Sequence, residues 1–315
     1  MTTTSRQVVS VGGYQGPGSV LSQGLKYFVD QLQPAINSVD LQLTLDVTAE
    51  GMTARSLFDS VEDGSRKICY LASSYLSARV GDLRVLDIPF SVDDRALALQ
   101  RLDGKAGELL TQSVENNTQL KILAFWDNGF RHISNKSHPL LGPADCHGLK
   151  IRTLDSQAYC DVLRAIGFSP LVIDVRELRN AVSTGQVDAQ ENPLTNFIHF
   201  DLWRHHTYLS LTKHFFGVAL LVCNRQWFDG LSEHDQTAAL SAALSATQLQ
   251  RELAALEDEK SLRFLKECGV RILNTPELDI QAMQRACEGI SNNILMGLPS
   301  QLIDAYLQRD GSFKS

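Results

Sequence analysis

The segment from residue 147 to residue 193 reads HGLKIRTLDSQAYCDVLRAIGFSPLVIDVRELRNAVSTGQVDAQENP. Apolar and polar residues alternate over residues 149–153, as is typical of a half-buried strand. The rest of the segment predicts, in order, a helix over 156–166 closed by Gly167, a strand over 169–175, a helix over 177–184 closed by Gly185, and a short strand over 187–189. This βαβαβ order predicts a parallel sheet.

Two polar side chains of this segment stand where a parallel sheet binds ligands. Arg152 and Asn192 fall at or just past the ends of predicted strands. Ligands of open α/β sheets bind outside the carboxyl ends of the strands. We therefore expect both side chains to belong to a binding site.

The first half of the chain repeats this order of elements. It predicts strands over 8–11, 41–47 and 67–71, one helix after a glycine-rich turn at 12–18, and another helix over 54–61. The turn either brings backbone N–H groups to an anionic ligand or needs glycine only for its tight geometry. Its spacing is not G-x-G-x-x-G, so we expect no dinucleotide cofactor. Further strands are predicted over 120–126, 207–211 and 216–223. The two halves, joined near residues 127–135, predict two lobes.

A single long helix is predicted over residues 233–268. This stretch contains neither proline nor glycine and keeps its leucines at helical spacing. At 1.5 Å per residue it would be about 50 Å long, so we expect it to brace both lobes. The alternative is two helices separated by a kink.

The composition is that of a soluble globular protein, with 43% apolar and 21% charged residues. The net charge of -7 argues against a nucleic-acid partner. No apolar run approaches the roughly 20 residues that cross a bilayer. The six cysteines lack C-x-x-C spacing, which predicts free thiols and not a disulfide or zinc framework.

The sequence contains no motif that would support an enzymatic function. A zinc site would need H-E-x-x-H or cysteine partners, and these are lacking around four histidines, His199, His205, His206 and His214. No G-x-S-x-G elbow is present, and Glu191 has no nucleophile beside it that it would serve as a general base. We therefore expect no catalytic residue, no metal and no cofactor.

Four motifs occur in order along the chain: D-I-P-F at 87–90, G-F-R at 129–131, G-L-K-I-R at 148–152 and G-Q-V-D-A-Q-E-N-P at 185–193. Together with Trp227 and the long helix they resemble the substrate-binding proteins of TRAP transporters, the DctP-like family. The resemblance covers residues 8–302.

The resemblance implies an α/β fold of the periplasmic-binding-protein type, with two lobes, each a sheet flanked by helices, and a ligand cleft between them. The first lobe would comprise residues 1–128 and about 212–250, and the second 129–211 and about 251–315. It also implies a monomer that closes by a hinge on a small organic acid. This acid would be delivered to the permease subunits of a TRAP transporter in the membrane, without catalysis. The alternative is a cytoplasmic sensor or enzyme built on a similar two-lobe scaffold.

The family resemblance implies a periplasmic location. The residues after Met1 lead directly into the predicted strand over 8–11 and show no secretory signal. We therefore expect either a cytoplasmic protein or a chain whose leader was removed.

The motifs also imply roles for three side chains. Arg152 would pair with the ligand carboxylate, Asn192 would hydrogen-bond the ligand, and Arg131 would face the cleft. A guanidinium is always charged and matches a carboxylate with two parallel hydrogen bonds. Each role has a structural alternative: an ion pair with Asp155 or Asp188 for Arg152, an Asn-Pro turn for Asn192, and an ion pair with Asp127 for Arg131.

Five further residues are candidates for ligand contact. Tyr14, Gln15 and Ser73 lie on loops that we expect to distinguish one acid from another. Trp126 and Phe168 would wall an apolar part of a ligand. Single aromatic side chains more often belong to the core, which is the alternative for these two.

Overall fold

A computed structural model of the chain describes residues 6–307. In chain order the first elements are β1 (Gln7–Gly12), α1 (Val20–Ala35), β2 (Val39–Thr44), α2 (Ser56–Glu62), β3 (Ile68–Ala72), α3 (Arg95–Leu102), α4 (Lys105–Asn117) and β4 (Leu120–Asn135). Next come β5 (Lys150–Thr153), α5 (Gln157–Ile166), β6 (Ser169–Val172), α6 (Val175–Ser183), β7 (Ala189–Pro193), α7 (Leu194–His199) and β8 (Tyr208–Asn224). The last are α8 (Arg225–Asp229), α9 (Glu233–Glu267), β9 (Arg271–Leu273), α10 (Ile280–Met296) and α11 (Ser300–Leu307).

The described residues form two compact units. Unit 1 comprises the residues up to Ala72, Thr111–Asp127 and Ala219–Ala254, and unit 2 comprises Ser73–Leu110, Asn128–Val218 and the residues from Ala255. In both units strands are flanked by helices, which confirms the predicted α/β class.

The largest difference from the predicted lobe boundaries concerns residues 73–110. The sequence prediction assigns them to the first lobe, but they belong to unit 2. The reason is their packing, because α3 contacts α11, and the 3₁₀ turn Gly81–Asp87 contacts α5, α10 and α11.

Unit 1 is built around β1, which lies between β2 and β3 and is parallel to both. β3 is in turn antiparallel to β8, with Tyr70 opposite Leu221. Helix α1 begins at Ser19, whose side-chain oxygen accepts a hydrogen bond from the backbone N–H of Ser22 at 3.1 Å. Its buried apolar residues recur every three or four positions, as on one face of a helix: Leu21, Leu25, Phe28 and Leu32.

Unit 2 is built around β5, which lies between β6 and β7 and is parallel to both. α5 connects β5 to β6, and α6 connects β6 to β7. Gly167 ends α5 with a φ of +116°, a left-handed conformation that glycine adopts without strain. The βαβαβ prediction for residues 149–189 is therefore confirmed. On its other side β7 pairs antiparallel with β4, and Asn192 lies opposite His132.

Two strands are longer than the sequence predicts. The predicted strand end near residue 127 is wrong, because β4 continues to Asn135 and Arg131 lies inside the strand. Gly129 has a φ of +81°, which bends the chain, and the residues from Arg131 onward pair with β7. β8 likewise unites the predicted strands over 207–211 and 216–223, with Lys213 at a φ of +47° between them.

The long helix is continuous over 35 residues, so the single-helix prediction is confirmed and the two-helix alternative is wrong. Its residues up to Ala254 belong to unit 1 and those from Ala255 to unit 2. Within unit 1 it is tied to β4 by Gln250, whose buried amide bonds the backbone N–H and oxygen of Asp127 at 2.9 and 2.6 Å.

Between residues 6 and 307, no helix combines the length and the apolar character needed to cross a membrane. All six cysteines lie in this range and are free thiols, and Cys268 is the exposed member of the set.

Candidate anion-binding site

Arg152 is the third residue of β5 and is only 1% exposed. It lies opposite Leu171 of β6 and Gln190 of β7. Its Nε donates a hydrogen bond of 2.9 Å to the backbone oxygen of Ile173, just past the end of β6. Its Nη2 is also buried, and no acceptor within residues 6–307 bonds it.

The guanidinium of Arg152 is thus a buried cation with an unused donor. The ion pairs considered as alternatives, with Asp155 or Asp188, are not formed in the described part of the chain. Asp188 instead accepts a hydrogen bond of 3.0 Å from the backbone N–H of Lys150. Burial lowers the pKa of Arg152, but a guanidinium stays protonated in proteins. A buried donor without a partner costs about 1–3 kcal/mol, and an anionic ligand would remove this cost.

Arg131 lies in β4 and bonds the carboxylate of Glu191. Its Nε donates to Oε2 of the carboxylate, and its Nη2 donates to Oε1 at 2.9 Å. Nη2 also donates to the backbone oxygen of Glu191 at 2.9 Å. Both side chains are buried. This is a two-pronged guanidinium–carboxylate pair between residues 60 positions apart, and the sequence spacing gave no sign of it.

Glu191 receives one further hydrogen bond and is ionised. The hydroxyl of Thr153 donates to its Oε1 at 2.9 Å, and Nε2 of His214 lies 3.6 Å from its Oε2. Burial alone would raise the pKa of Glu191, but the charge and hydrogen bonds of Arg131, together with the nearby ring of His214, outweigh it and lower the pKa to about 2. Burial also lowers the pKa of His214, so the ring is neutral. The hydrogen bond of the ring is made at Nδ1, which lies 2.7 Å from the hydroxyl of Thr212.

Asn192 is buried at the end of β7 and its amide is oriented by its neighbours. Its Nδ2 donates to Oε1 of Gln190 at 2.6 Å. Its Oδ1 accepts from Arg131 Nη2 and from Asn196 Nδ2, each at 3.4 Å. Gln190 is fixed in turn, because its Nε2 donates to the hydroxyl of Ser134 at 2.6 Å. The orientation of the Asn192 amide is therefore set before any ligand arrives.

The chain of hydrogen bonds from Gln190 ends at a buried histidine. Ser134 accepts from Gln190, and its hydroxyl oxygen lies within hydrogen-bond distance of Nδ1 of His206, 3.0 Å away. Burial lowers the pKa of His206 to about 3. The ring is therefore neutral near pH 7.

The pleat of the sheet decides which of these groups share a face. Arg152 pairs with Gln190 in β7. Paired residues point to the same side of a sheet, as do residues two positions apart. Arg152, Gln190 and Asn192 therefore lie on one face, and Thr153 and Glu191 lie on the other. Because β5 and β7 are parallel, the groups on both faces lie near the same edge of the sheet, at the carboxyl ends of the two strands.

Two tyrosines that no motif singled out also belong to this region of unit 2. Burial raises the pKa of Tyr75, and the charge of Arg152 is the strongest effect that opposes this rise. The hydroxyl of Tyr75 is therefore within electrostatic reach of that guanidinium. Tyr159 stacks on Phe215 at 4.0 Å, and the guanidinium of Arg131 lies 5.3 Å from its ring centre. Only tertiary packing brings these rings to the arginines, so the sequence gave no signal for them.

The structure also places the remaining candidates of unit 2. Ser73 is buried at the start of the 3₁₀ turn that ends at Tyr75, and its backbone oxygen accepts from the N–H of Leu76. Phe168 is buried just before β6, three residues before the partner of Arg152. At about 3.3 Å per residue this is about 10 Å along the strand. Phe168 therefore lies outside the part of β6 that pairs with β5.

Three candidates lie in unit 1. Tyr14 packs on Tyr70 with 5.4 Å between ring centres, and the backbone oxygen of Gln15 accepts from the hydroxyl of Ser22 at 2.7 Å. Trp126 is fully buried, and its indole N–H donates to Thr247 at 3.0 Å. These bonds explain Trp126 as a core residue. Ligand contact by Tyr14, Gln15, Ser73, Trp126 and Phe168 stays a prediction.

The four histidines of the zinc interpretation do not converge. Within residues 6–307, no group of three or more His, Cys, Asp or Glu side chains has the arrangement of a metal site. His206 and His214 are instead members of the hydrogen-bonded chains described above.

The comparisons with known proteins agree on one family. The model of bacterial extracellular solute-binding proteins, family 7 (DctP), matches residues 11–295. The 2,3-diketo-L-gulonate-binding periplasmic protein YiaO of Escherichia coli K12 is 33% identical over 261 residues, which are 83% of this chain and 78% of that protein. The C4-dicarboxylate-binding periplasmic protein DctP of Rhodobacter capsulatus is 32% identical over 191 residues, 60% of this chain and 56% of that protein.

The fold is also that of a solved relative. The crystal structure of a TRAP periplasmic solute-binding protein from Polaromonas sp. JS666, bound to D-erythronate, is similar with a TM-score of 0.89 and 26% identity, over 96% of this chain and 98% of that chain. The resemblance to TRAP substrate-binding proteins is confirmed, and the cytoplasmic sensor or enzyme finds no support in these comparisons. The chain belongs to the DctP family of bacterial extracellular solute-binding proteins.

Proposed function

We propose that this protein is a periplasmic receptor that captures a small organic acid and delivers it to the membrane permease of a TRAP transporter. In this proposal Arg152 holds the ligand carboxylate and Asn192 orients the ligand. Arg131 supports the site indirectly, because it donates hydrogen bonds to the carboxylate of Glu191 and to the amide oxygen of Asn192.

The observation that carries the proposal is the unused donor of a buried guanidinium. Nη2 of Arg152 has no acceptor in the described residues, while Nε is held by the backbone of Ile173. This single bond fixes the plane of the guanidinium and leaves it open to a bidentate carboxylate. Water is largely excluded at this depth, so the attraction between the two charges is weakly screened.

Asn192 supports the proposal through its fixed amide. Its Nδ2 gives one hydrogen to Gln190, and an amide nitrogen has two. The second hydrogen is therefore available to an oxygen of the ligand. Because Asn192 and Arg152 share a face of the sheet, one small ligand at the strand ends would meet both.

The ligands in the names of similar proteins share one chemical group. They are 2,3-diketo-L-gulonate, C4-dicarboxylates and D-erythronate, and each carries a carboxylate. The rest of these molecules differs in length and in hydroxyl and keto groups. A common arginine clamp for the carboxylate accounts for what they share.

The experiment is a screen followed by a substitution. A thermal-shift screen with organic acids should find carboxylates that raise the melting temperature, since a ligand that binds only the folded state stabilises it. By calorimetry, Arg152→Ala should weaken binding of the best acid by about 100-fold or more, because a buried charge-assisted pair is lost.

Arg164→Ala is the matched control, because Arg164 is a surface arginine of the same unit with a side chain 59% exposed. It should bind like the wild type. Equal binding by Arg152→Ala and the wild type would refute the clamp. Mass spectrometry of the recovered ligand separates a receptor, which returns the acid unchanged, from an enzyme.

A further inference from the structure

We propose that unit 2 carries a second ligand site, separate from the one at Arg152, which binds a monocarboxylate with a hydrocarbon tail, such as a medium-chain fatty acid. The site is a cavity of about 740 Å³ between α5, α10 and the segment of residues 77–84, all of which belong to unit 2. Small-molecule sites typically have volumes of about 300–1,000 Å³. Among the described residues, those that line the cavity do not include Arg152, Arg131 or Asn192. The cavity is therefore distinct from the candidate anion-binding site.

Small side chains on one face of α5 leave the space of the cavity. Ala158 and Ala165 both line it and are seven positions apart, so they lie on the same face of the helix. α10 contacts α5 and adds two larger apolar side chains to the wall, Ile290 and Ile294. Because these walls consist of carbon atoms, a hydrocarbon chain would displace water from them favourably.

Arg84 supplies the positive charge of the cavity. It is half-buried in the 3₁₀ turn Gly81–Asp87 and lines the cavity. Within residues 6–307 its guanidinium makes no hydrogen bond and no ion pair. The N–H groups of a guanidinium are all donors, so these donors are available to a ligand.

Asp87 is the acid on which the charge of Arg84 acts, but the two side chains form no ion pair in the described chain. Burial raises the pKa of Asp87 to about 6, while hydrogen bonds from Ser74 and Ser77 and the charge of Arg84 oppose the rise. The hydroxyl of Ser74 donates to Oδ1 of Asp87 at 2.8 Å. The carboxylate is thus held by a hydroxyl and occupies none of the donors of Arg84.

The other arginine of the cavity, Arg164, is already paired. Its Nη1 donates to Oδ1 of Asp161 at 2.8 Å, and Nε2 of Gln157 donates to the same oxygen at 2.7 Å. The side chain of Arg164 is 59% exposed, so it belongs to the rim and its charge is matched. Among the residues that line the cavity, Arg84 is therefore the cation with which a ligand can pair.

These features select a carboxylate with an apolar body. A carboxylate pairs with the guanidinium of Arg84 through two parallel hydrogen bonds, and a hydrocarbon tail covers the alanine and isoleucine side chains. The hydroxyl groups of a sugar acid would face carbon atoms there and lose the hydrogen bonds that water gives them. The ligand of this cavity therefore differs in class from a hydroxylated acid.

The first test measures the binding of octanoate by calorimetry. The wild type should bind octanoate, and Arg84→Gln should bind it at least about tenfold more weakly, because a charge-assisted pair is lost. Octanamide has the same tail without the charge and should bind the wild type at least about tenfold more weakly than octanoate does. Arg285 is an exposed residue of α10 outside the cavity lining. Arg285→Gln is therefore the control and should keep the octanoate affinity within a factor of about two.

The second test separates the two sites. Arg84→Gln should keep the wild-type affinity for the best hydroxy acid of the thermal-shift screen within a factor of about two, and Arg152→Ala should keep the octanoate affinity within the same factor. Octanoate binding that is lost in Arg152→Ala and unchanged in Arg84→Gln would place octanoate at Arg152 and overturn the second site. Hydroxy-acid binding that is unchanged in Arg152→Ala overturns the clamp and leaves the second site standing.

A third variant fills the cavity without changing its charge. Ala158→Leu places a larger side chain on the wall of α5 and should weaken octanoate binding at least about tenfold. Circular dichroism shows whether each variant is folded, and if Arg84→Gln is not, Ala158→Leu decides. The second site is overturned by octanoate affinity that is unchanged in either variant, by octanamide that binds as tightly as octanoate, or by a wild type that does not bind octanoate.

Discussion

Arg152 and Arg131 show how two buried arginines of one unit differ in use. Arg131 is bonded on Nε and Nη2 by the carboxylate of Glu191, so its charge is matched inside the protein. Arg152 has one backbone acceptor and a buried nitrogen without one. A buried charge is tolerated when it is paired and costly when it is not. Arg131 is therefore held by the protein itself, whereas Arg152 is the arginine that we propose for the ligand.

Thr153 provides a residue-scale test of the Arg131–Glu191 pair. Its hydroxyl donates to the buried carboxylate, and Thr153→Val removes this donor while keeping the shape of the side chain. A hydrogen bond to a charged group contributes about 1.5–3 kcal/mol, so the free energy of unfolding should fall by that amount in urea titrations. Thr184→Val is the control, since its hydroxyl donates to Asn180 at the surface, and it should change stability by about 0.5 kcal/mol or less. Equal effects of the two substitutions would contradict the account.

The sequence singled out Arg152 and Asn192 by motif and by position at strand ends. It did not identify Glu191 as the partner of Arg131, although it stands beside Asn192. The pairing depends on β4 lying antiparallel to β7, which brings residues 60 positions apart into contact. Local patterns predict strands but not the register between strands that are distant in sequence. The Arg131–Glu191 pair could therefore not be predicted from the sequence.

The bend in β4 is an element-scale feature that depends on Gly129. Its φ of +81° is left-handed, and a Cβ at this position would lie 3.2 Å from Cβ of Pro193. β7 therefore approaches β4 at the residue that follows Asn192. A side chain on Gly129 would both strain the bend and push on the strand that carries the site.

Gly129→Ala should therefore destabilise the protein more than a left-handed conformation alone explains. Gly148 is the matched control, because its φ is +79° and a Cβ there would meet nothing within 4 Å. Gly148→Ala should cost about 1–2 kcal/mol for its conformation, and Gly129→Ala about 1–3 kcal/mol more for the crowding. Urea unfolding measures both. Gly129→Ala should also weaken carboxylate binding, whereas identical stability and affinity in the two variants would rule out the contact with Pro193.

Elements with an uninterrupted local pattern were predictable. The βαβαβ unit follows from alternation, helical spacing and closing glycines, and α9 follows from 35 residues without proline or glycine. The lengths of β4 and β8 were not, because Gly129 and Lys213 adopt left-handed conformations inside these strands. In a sequence such positions look like strand ends. The strand pairing that continues beyond them is a tertiary property.

At the scale of the whole molecule, the four family motifs all lie in unit 2. They span residues 87–90, 129–131, 148–152 and 185–193, and unit 2 also includes residues 73–110. The charged chemistry of the candidate site is thus concentrated in one unit. The unit boundaries were less predictable than the motifs, because β4, β8 and α9 each contribute residues to both units.

The buried polar groups of unit 2 also determine how the molecule responds to acid. Burial lowers the pKa of three histidines, His132, His206 and His214. As the pH falls below their ordinary pKa of 6.5, the unfolded chain takes up protons that the folded chain does not. Stability falls with pH wherever the unfolded state binds more protons. Glu191, with a pKa lowered from 4.5 to about 2, contributes stability above pH 4.5 that is lost only below it, so the two effects occupy different ranges of pH.

His206 allows the histidine effect to be measured alone. Its pKa is lowered to about 3, so between pH 7 and pH 5 it should remove about 2 kcal/mol from the free energy of unfolding, since one pKa unit corresponds to about 1.4 kcal/mol. In urea titrations at these two pH values, His206→Asn should therefore lose about 2 kcal/mol less than the wild type. His205→Asn, one residue earlier and only partly buried, is the control for the change of side chain. If both variants lost as much stability as the wild type, His206 would be protonated in the folded protein, and its Nδ1 would donate to the hydroxyl of Ser134, which can accept from the ring and from Gln190 together.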